Sequence, residues 1–441
     1  MNRVWVVALC LTIAVGCTAE GPRAPVQMAA APVDWPAYAS DAAGTRYSPL
    51  TDINAANAHR LEPAWVWRRD ERAPDGRSHA PAAGKFEVTP LVIGDTLYLS
   101  TPFNRVLALD ARTGRELWQF DPLATVHPLS GDHRGGFVHR GVASWRSPSV
   151  HRILIASRWR LWSLDAATGR PDPAFGDQGS VSLLPGLRWE ADSLLLNNTS
   201  PPLVWDSIVV VGSAIDDKLI FDRDPPGAVQ AFDVRSGRRL WSWGSVPLDS
   251  AAAAQSWGSG SAQHVGHGNV WAPMTADSSR GLVFLPVSAA SNDFYGGGRP
   301  GDNRHTQSIV CLDIRTGRLV WAQQIVHHDI WDYDPASPPA LATIQREGAL
   351  QDVVVFPGKT GYLYVFDRER GVPVWPIAER PVLASDVPGE IAAKTQPVPT
   401  WPLPFARQGF SETDLVDFTP EILRQAKVRL AEFRSGAMFT P

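Results

Sequence analysis

Cysteine is nearly absent from this chain, which has three among its 441 residues. Cys10 and Cys17 fall in an apolar N-terminal stretch, so the rest of the chain has a single thiol, Cys311. A disulfide framework and a cysteine-based zinc site are therefore excluded. No CxxCH motif occurs, which argues against covalently attached haem. Cys311 alternates with Val310 and Leu312, so we expect it to be a small core residue of a strand.

A strong net charge is also missing. The formal net charge is −4, which gives no basis for predicting a nucleic-acid partner. No GxGxxG motif directly follows a strand-like run and no P-loop occurs, so nicotinamide and nucleotide sites of those types are not expected. Long amphipathic runs are few, whereas the chain has 18 Trp, 38 Pro and 36 Gly. This composition favours short strands and turns over long helices.

Residues 1–17 have the features of an export signal. Arg3 precedes an apolar run that is too short to cross a bilayer comfortably. The run ends in Ala-Val-Gly-Cys, which resembles a bacterial lipoprotein box with Cys17 as the acylated residue; plain secretion is the alternative. Residues 18–33 are rich in Ala and Pro and are expected to be a tether before a domain at 34–441. The protein is therefore expected to be periplasmic and anchored to the membrane through a lipid.

One pattern occurs five times along the chain. An apolar run ends in Asp, about three turn residues with a Gly follow, and a second run reaches Trp or Phe. Asp accepts hydrogen bonds from turn amides and Gly tolerates positive φ, so each copy predicts a tight hairpin whose Trp can pack against a neighbouring unit. The copies are ALDARTGRELW (108–118), SLDAATGRPDPAF (163–175), AFDVRSGRRLW (231–241), CLDIRTGRLVW (311–321) and VFDRERGVPVW (365–375).

Each copy follows another strand-like run, such as TPLVIGDTLYLST (89–101), so one unit is expected to be an antiparallel sheet of about four strands. The aspartates of the five copies are spaced 55, 68, 80 and 54 residues apart. Propeller blades need about 40–50 residues, so the excess is assigned to loops. The sequence therefore predicts an all-β protein, a β-propeller with long loops on one face.

These copies resemble the tryptophan-docking motif of the pyrroloquinoline quinone (PQQ) dehydrogenases, which are eight-bladed propellers. The likeness extends from about Asp34 to the C-terminus and is strongest to the membrane-associated glucose-dehydrogenase branch. Its most specific parts are HHDIWDYD (327–334) and GKTGYLYVFDR (358–368). Because five copies are visible and the family has eight blades, the resemblance implies that this chain is truncated at its C-terminus.

The stretch HHDIWDYDPASPP (327–339) contains the residue that the resemblance identifies as the catalytic base, Asp332. The aromatic residues on either side of it would exclude water from its surroundings. A loop-scaffold role is favoured over direct catalysis for His327 and His328. Asp334 is either a supporting residue behind the site or a metal contact.

PQQ is a planar quinone with three carboxylates, so its site needs a flat platform and cationic partners. By resemblance, Trp271 is the platform; it lacks the preceding Asp-turn pattern, which separates it from the docking tryptophans. Lys359 corresponds to the cation that contacts the quinone oxygens, and Arg140 would pair with a carboxylate of the cofactor.

Other predicted site residues follow from the same resemblance. Glu87, Thr199 and Ser213 are expected to face the cofactor; the alternative for Glu87 and Thr199 is plain hydrogen bonding at strand ends. The family segment that offers a metal carboxylate matches VGSAIDD (211–217), and a second polar loop matches SAASNDFYGGGR (288–299). The predicted ligands of a Ca²⁺ or Mg²⁺ ion are Asp216, Asp217 and Ser291.

The expected activity is PQQ-dependent oxidation of an aldose such as glucose, or of another alcohol, with electrons passed to ubiquinone or cytochrome c. The adjacent cysteines of the alcohol-oxidising members are missing and His139 occupies their neighbourhood, which favours sugars or polyols. The alternative is a non-catalytic propeller lipoprotein that acts as a protein-binding scaffold. The combination of Trp271, Asp332, Lys359 and Arg140 favours the enzyme, because a scaffold has no need of it.

Overall fold

The computed structural model describes residues 33–69, 85–124, 137–216, 222–247, 251 and 255–441. The predicted signal, its Cys17, nearly all of the tether and the predicted metal ligand Asp217 lie outside these residues. Within the described ranges, no helix has both the length and the apolar character that a bilayer span needs.

Strands dominate the described chain. The strands are β1 Leu91–Ile93, β2 Thr96–Ser100, β3 Val106–Asp110, β4 Glu116–Phe120, β5 Ala143–Arg146, β6 His151–Ser157, β7 Arg160–Asp165, β8 Ser180–Ser182, β9 Leu196–Asn197, β10 Leu203–Trp205, β11 Ile208–Val211, β12 Ala214–Ile215, β13 Val229–Asp233, β14 Arg239–Trp243, β15 Thr275–Asp277, β16 Leu282–Val287, β17 Ser308–Asp313, β18 Leu319–Gln324, β19 Ala340–Arg346, β20 Ala349–Pro357, β21 Leu363–Asp367, β22 Ile377–Pro381 and β23 Thr395–Pro399. The α-helix α1 is Pro420–Leu430, and short 3₁₀ segments occur at Ala58–Arg60, Leu184–Gly186, Ser193–Leu195, Gly258–Gln263, Gly296–Gly298 and Glu412–Asp414.

The strands pair in sequence order into antiparallel sheets. Sheet 1 is β1–β4, sheet 2 is β5–β8, sheet 3 is β10, β11, β13 and β14, sheet 4 is β15–β18, and sheet 5 is β19–β21. Two further antiparallel pairs are β9 with β12, which enclose β10 and β11 in the chain, and β22 with β23. The first strands of sheets 2 to 5 lie side by side, so the sheets fan out from a common axis as propeller blades do. The prediction of an all-β propeller built from sheets of about four strands is confirmed.

Most of the core lies between consecutive sheets. One apolar layer joins sheets 1 and 2, a second joins sheets 2 and 3, and two more join sheets 3 to 4 and 4 to 5. Both faces of a blade are therefore covered, which explains the continuous burial of β11 and β16. Cys311 is a buried member of the layer between sheets 4 and 5, as predicted.

The repeated turns join one sheet to the next. A tryptophan packs on the turn glycine of the following sheet, and its indole Nε1 donates to the carbonyl of the residue after the turn aspartate. Each of these glycines has φ near +70°, and a Cβ on Gly169 would lie 2.3 Å from Trp118, so a side chain is excluded there. The pairs, with the accepting residue, are Trp65–Gly114 with Ala111 (3.2 Å), Trp118–Gly169 with Ala166 (3.0 Å), Trp241–Gly317 with Ile314 (2.9 Å) and Trp321–Gly371 with Arg368 (3.1 Å).

The second copy of the repeat, which ends in Phe175 rather than Trp, docks differently. The turn glycine of sheet 3, Gly237, faces Val181 and Phe175. The carbonyl that an indole accepts elsewhere belongs here to Val234, and Nη1 of Arg152 donates to it at 2.6 Å. A guanidinium therefore supplies the hydrogen bond that phenylalanine lacks.

Strand direction decides which loops meet. In an antiparallel meander, the loop before the first strand and the loop between the second and third strands lie at the same end of the sheet, and the remaining turns lie at the other end. The first end is called the site face below, and the second the turn face. The repeated Asp–Gly turns lie on the turn face, between the third and fourth strands.

Candidate active site

The predicted cofactor residues converge on the site face. Glu87, Arg140, Thr199 and Trp271 lie three or four residues before β1, β5, β10 and β15 respectively. These are the first strands of four consecutive sheets, which lie nearest the axis. Residues far apart in sequence are therefore brought together because each one precedes the first strand of its sheet.

Trp271 is held on several sides by polar contacts. Its Nε1 donates to Oδ2 of Asp334 at 2.7 Å. Its carbonyl accepts from the hydroxyls of Thr199 (3.1 Å) and Ser200 (2.6 Å), and the Arg140 guanidinium carbon lies 5.0 Å from the ring centroid. The indole thus bonds to a side chain rather than to a turn carbonyl, which confirms that Trp271 is not a docking tryptophan.

Arg140 is fixed in place by its neighbours. Its Nη2 lies 2.7 Å from Oε2 of Glu87, its Nη1 donates to the Thr199 carbonyl at 3.3 Å, and its backbone N–H donates to the same carbonyl at 2.9 Å. Glu87 and Thr199 therefore hold Arg140 and Trp271 in position. This is the hydrogen bonding at strand ends that the sequence left open as the alternative to a cofactor contact. The Arg140 side chain remains 17% exposed, so it is not sealed off from the site face.

The predicted base and the predicted cation form a pair. Nζ of Lys359, in the loop between β20 and β21, donates to the Asp332 carbonyl at 2.7 Å and lies 3.3 Å from its Oδ2. Asp332 has φ of 59°, a left-handed conformation that costs free energy for a residue with a Cβ. Its side chain is 21% exposed. The Asp332 carboxylate is therefore partly accessible to solvent. Neighbouring residues must stabilise the left-handed backbone conformation of Asp332.

Asp329 supports that backbone from below. Its carboxylate accepts from the N–H groups of Trp331 (3.1 Å) and Tyr333 (3.0 Å), and from the amide of Gln307. Burial, and then the nearby carboxylate of Asp334, raise the pKa of Asp329 to about 7. The two N–H groups that flank Asp332 are thus bound to one buried carboxyl group.

Asp334 links residues 327–334, the base loop that contains Asp332, to the Trp271 platform. Oδ2 accepts from the Trp271 indole, while Oδ1 accepts from the Ala289 N–H at 2.8 Å and from Gln307 at 3.1 Å. Burial raises the pKa of Asp334, and the Asp293 carboxylate raises it further. The sequence left two roles open for Asp334, a metal contact or a supporting residue behind the site. These contacts favour the second role.

The aromatic residues beside Asp332 are anchored by the end of the chain. Trp331 and Tyr333 stack with ring centroids 5.8 Å apart, and Phe439 meets both rings edge-on. The Trp331 indole donates to the Thr440 carbonyl at 2.9 Å, and the Tyr333 hydroxyl donates to the Met438 carbonyl at 2.7 Å. The aromatic pair therefore rests on residues 438–440, which the sequence did not link to it.

The histidines have structural contacts. Nδ1 of His328 bonds to the Gly301 carbonyl at 2.7 Å, and burial lowers the pKa of His328 to about 4. His327 bonds to Gln324 (2.8 Å) and Glu379 (3.2 Å), away from Asp332. These contacts agree with the scaffold role. His139 is also buried, and burial lowers its pKa to about 4.

Two of the three predicted metal ligands, Asp216 and Ser291, lie within the described residues, and Asp217 does not. Ser213, which was expected to face the cofactor, donates its hydroxyl to the Ala228 carbonyl at 3.4 Å, although its N–H bonds to Val270 beside the platform. Ser291 is buried at 7% exposure. Asp216 lies in the loop between β11 and β13, also on the site face. Across the described part of the chain, no group of three His, Cys, Asp or Glu side chains is arranged to hold a metal ion, so this site stays a prediction.

Sequence reasoning missed three supporting groups: Gln307, Ser200 and the Ala289 N–H. A glutamine before a strand carries no pattern that distinguishes it from a surface residue. Ser200 follows the predicted Thr199, and a polar pair at a strand entrance was a usable signal. The supporting role of Asp329 was also predictable from the sequence, because an aspartate side chain often accepts a hydrogen bond from the backbone N–H two residues onward.

Comparisons with known proteins agree with this geometry. Residues 35–441 match the family described as "PQQ: Glucose/ethanol/alcohol dehydrogenase, beta-propeller domain". The quinoprotein glucose dehydrogenase of Escherichia coli K12 is 36% identical over 82% of this chain and 46% of its own length. The glycerol dehydrogenase large subunit of Gluconobacter oxydans is 32% identical over 95% of this chain and 57% of its own length.

A solved structure gives the same picture. The quinohemoprotein alcohol dehydrogenase of Comamonas testosteroni superposes with a TM-score of 0.66 at 29% identity, covering 83% of this chain and 52% of that one. The chain thus spans about half the length of the curated relatives that it matches.

Proposed function

The chain belongs to the family of PQQ-dependent glucose, ethanol and alcohol dehydrogenases, and on that premise we propose that it oxidises the CH–OH group of an alcohol or a sugar. The observation that carries the proposal is the connected set of Asp332, Lys359 and Trp271. The base is paired with a cation, and the indole is tied to the base loop through Asp334. A protein-binding scaffold would gain nothing from this arrangement.

The residues on the site face fit PQQ. A planar molecule with three carboxylates needs an aromatic surface and cations, and the chain offers Trp271, Arg140 and Lys359. Both cations are held by carboxylates and remain partly exposed, at 17% and 35%. When bound, PQQ supplies the two-electron acceptor of the reaction.

Asp332 is the group that receives the hydroxyl proton of the substrate. Three carboxylates lie in the base loop, but Asp329 and Asp334 are buried at 2% and 6% exposure and already accept hydrogen bonds. Asp332 keeps 21% of its side chain accessible, so a substrate can reach it. The aromatic residues that flank Asp332 in the sequence would exclude water from this carboxylate, which would strengthen electrostatic interactions at the site.

The finer assignments belong to the same proposal. The substrate is a sugar, such as glucose, or a polyol, and the electrons pass to ubiquinone or a cytochrome c. Asp216, Asp217 and Ser291 would supply oxygen ligands to Ca²⁺ or Mg²⁺, which suits a hard cation. Export by residues 1–17, a tether at 18–33 and acylation at Cys17 would place the enzyme at the periplasmic side of a membrane.

A dye-reduction assay tests the proposal. The full-length protein, reconstituted with PQQ and Ca²⁺, is expected to reduce an artificial dye with a sugar. Asp332→Asn should lower kcat by about 10²- to 10⁴-fold, because a general base contributes that much. PQQ affinity, measured by quenching of tryptophan fluorescence, should stay near that of the wild type, since Asp332 is not part of the platform.

Asp206→Asn is a matched control. Asp206 is an exposed aspartate with φ of 49°, and it lies in the β10–β11 turn on the turn face. It should retain both turnover and PQQ affinity. Full turnover by Asp332→Asn would refute the base assignment, and a wild-type protein that fails to bind PQQ would refute the dehydrogenase proposal.

A further inference from the structure

Gln307 bridges the two buried carboxylates of the base loop. Its side-chain Nε2 donates to Oδ2 of Asp329 and, at 3.1 Å, to Oδ1 of Asp334. An amide NH₂ group has two hydrogens, so both are used on these two acceptors. Gln307 is 1% exposed, and in the described part of the chain its Oε1 has no hydrogen-bond partner. The orientation of the Gln307 amide is therefore set by the two carboxylates to which it donates.

The backbone of Gln307 is held in place by hydrogen bonds of its own. Its N–H donates to the Ser288 carbonyl at 3.1 Å, and its carbonyl accepts from Ile325 at 2.8 Å. The residue directly precedes β17, in the middle of sheet 4. The side chain therefore extends from a blade into the site, and its position does not depend on the base loop.

The two bridged carboxylates have different tasks. Asp329 binds the N–H groups on either side of Asp332, and so holds the left-handed backbone of the base. Asp334 binds the Trp271 indole, and so fixes the ring of the platform. Two buried carboxylates repel each other unless donors lie between them. The Gln307 amide is a donor that both of them share.

We propose that Gln307 is a positioning residue that couples the Trp271 platform to the Asp332 base by bridging Asp329 and Asp334. This inference rests on the proposed function. The Gln307 amide donates to the two buried carboxylates and acts on the platform and the base through them. Loss of the bridge frees both ends at once, so cofactor affinity and turnover decline together.

The test compares two Gln→Met variants of the full-length protein. Gln307→Met keeps the length of the side chain and removes both donors. Gln230→Met is the matched control, because Gln230 is 3% exposed, its Oε1 also lacks a partner in the described residues, and its Nε2 donates to the Leu183 carbonyl instead of a carboxylate. Gln307→Met should weaken PQQ binding and lower kcat, each by about tenfold or more. Gln230→Met should lower only thermal stability.

A readout without PQQ tests the coupling directly. The indole N–H resonance of Trp271, assigned by its loss in Trp271→Phe, should shift when Asp329→Asn is introduced into the wild type. The same substitution should leave that resonance unmoved in the Gln307→Met background, because the bridge is gone. A resonance that shifts equally in both backgrounds would overturn the proposal.

The outcomes separate the two proposals. If the wild type binds PQQ and turns over, and folded Gln307→Met does both equally well, the coupling is refuted and the proposed function stands. If the wild type fails to bind PQQ, the function is refuted, while the resonance test still decides the coupling.

A second variant covers the case in which Gln307→Met does not fold. Gln307→Glu replaces the amide by a carboxyl group of the same length, which donates one hydrogen only when it is protonated. Turnover of this variant should therefore survive only at lower pH than in the wild type. A wild-type pH profile for Gln307→Glu would also overturn the coupling.

Discussion

Aspartates on the turn face and aspartates on the site face lie in opposite environments. Asp110 is partly exposed, and it accepts from the Thr113 hydroxyl (2.8 Å) and N–H (2.9 Å), which lower its pKa. Asp367 bonds to Arg370, and that bond lowers its pKa to about 2. Asp329 is buried, and burial raises its pKa to about 7. The charged form of one residue type is thus stabilised at one end of the sheets and destabilised at the other.

The difference shows where each group obtains its partners. In the repeated Asp–Gly turns, the donors lie within three residues of the aspartate, so the hydrogen bonds form as soon as the turn forms. On the site face, the partners come from other sheets, and desolvation opposes the charge. The turn aspartates therefore stabilise the fold, whereas the buried site aspartates cost stability in exchange for a fixed geometry.

The largest expected effect separates two tryptophans. Trp241 docks on the turn face at 8% exposure, and Trp241→Ala should cost about 3–5 kcal/mol of unfolding free energy because a large cavity replaces it. Trp271→Ala should instead reduce PQQ affinity by at least about tenfold, since an aromatic surface is lost. Urea denaturation and fluorescence titration with PQQ measure the two effects.

Each of these variants is the control for the other. Trp241→Ala should bind PQQ like the wild type under conditions in which it is folded. The comparison of the two faces would be wrong if Trp241→Ala lost affinity without losing stability, or if Trp271→Ala kept full affinity.

A smaller effect concerns stability at neutral pH. Because the folded-state pKa of Asp329 is about 7 and its ordinary value is 3.8, the folded state holds this proton between those values. Stability from this group is therefore present at low pH and is lost as pH rises toward 7, by about 2 kcal/mol between pH 5 and 8. Asp329→Asn should remove this decline in urea denaturation series. An unchanged slope in the variant would show that Asp329 is ionised throughout.

The smallest expected effect is on stability at acid pH, where the contribution of Asp367 is lost as the pH falls rather than as it rises. The folded-state pKa of Asp367 is about 2, below its ordinary value of 3.8, so its contribution is complete above pH 4 and is lost as pH falls through 2. Because the side chain is partly exposed, about 1 kcal/mol is expected after solvent screening. Asp367→Asn should flatten the acid limb of the stability curve and leave the neutral limb unchanged. A change confined to the neutral limb would contradict the assignment.

Much of the fold was predictable from local patterns. The Asp–Gly turns place their own donors, so the five copies indicated the hairpins, the docking tryptophans Trp118, Trp241 and Trp321, and the number of strands in a sheet. The substitution of Arg152 for an indole at Val234 was not predictable, because that guanidinium reaches the turn from 82 residues away. The separate roles of Asp332 and Lys359 were expected only from the family resemblance, and their direct contact was not predicted, since the two residues are 27 positions apart.

The sequence by itself determined the Asp–Gly turns, since each turn aspartate meets its turn donors within three residues. Only the tertiary structure decided the site face. Asp334 meets Trp271 across 63 residues and Gln307 across 27, and those distances close because the first strands of consecutive sheets meet at one axis. The physical reason is range: hydrogen bonds inside a turn need only local backbone geometry, whereas a buried carboxylate pair exists only after whole sheets have packed around it.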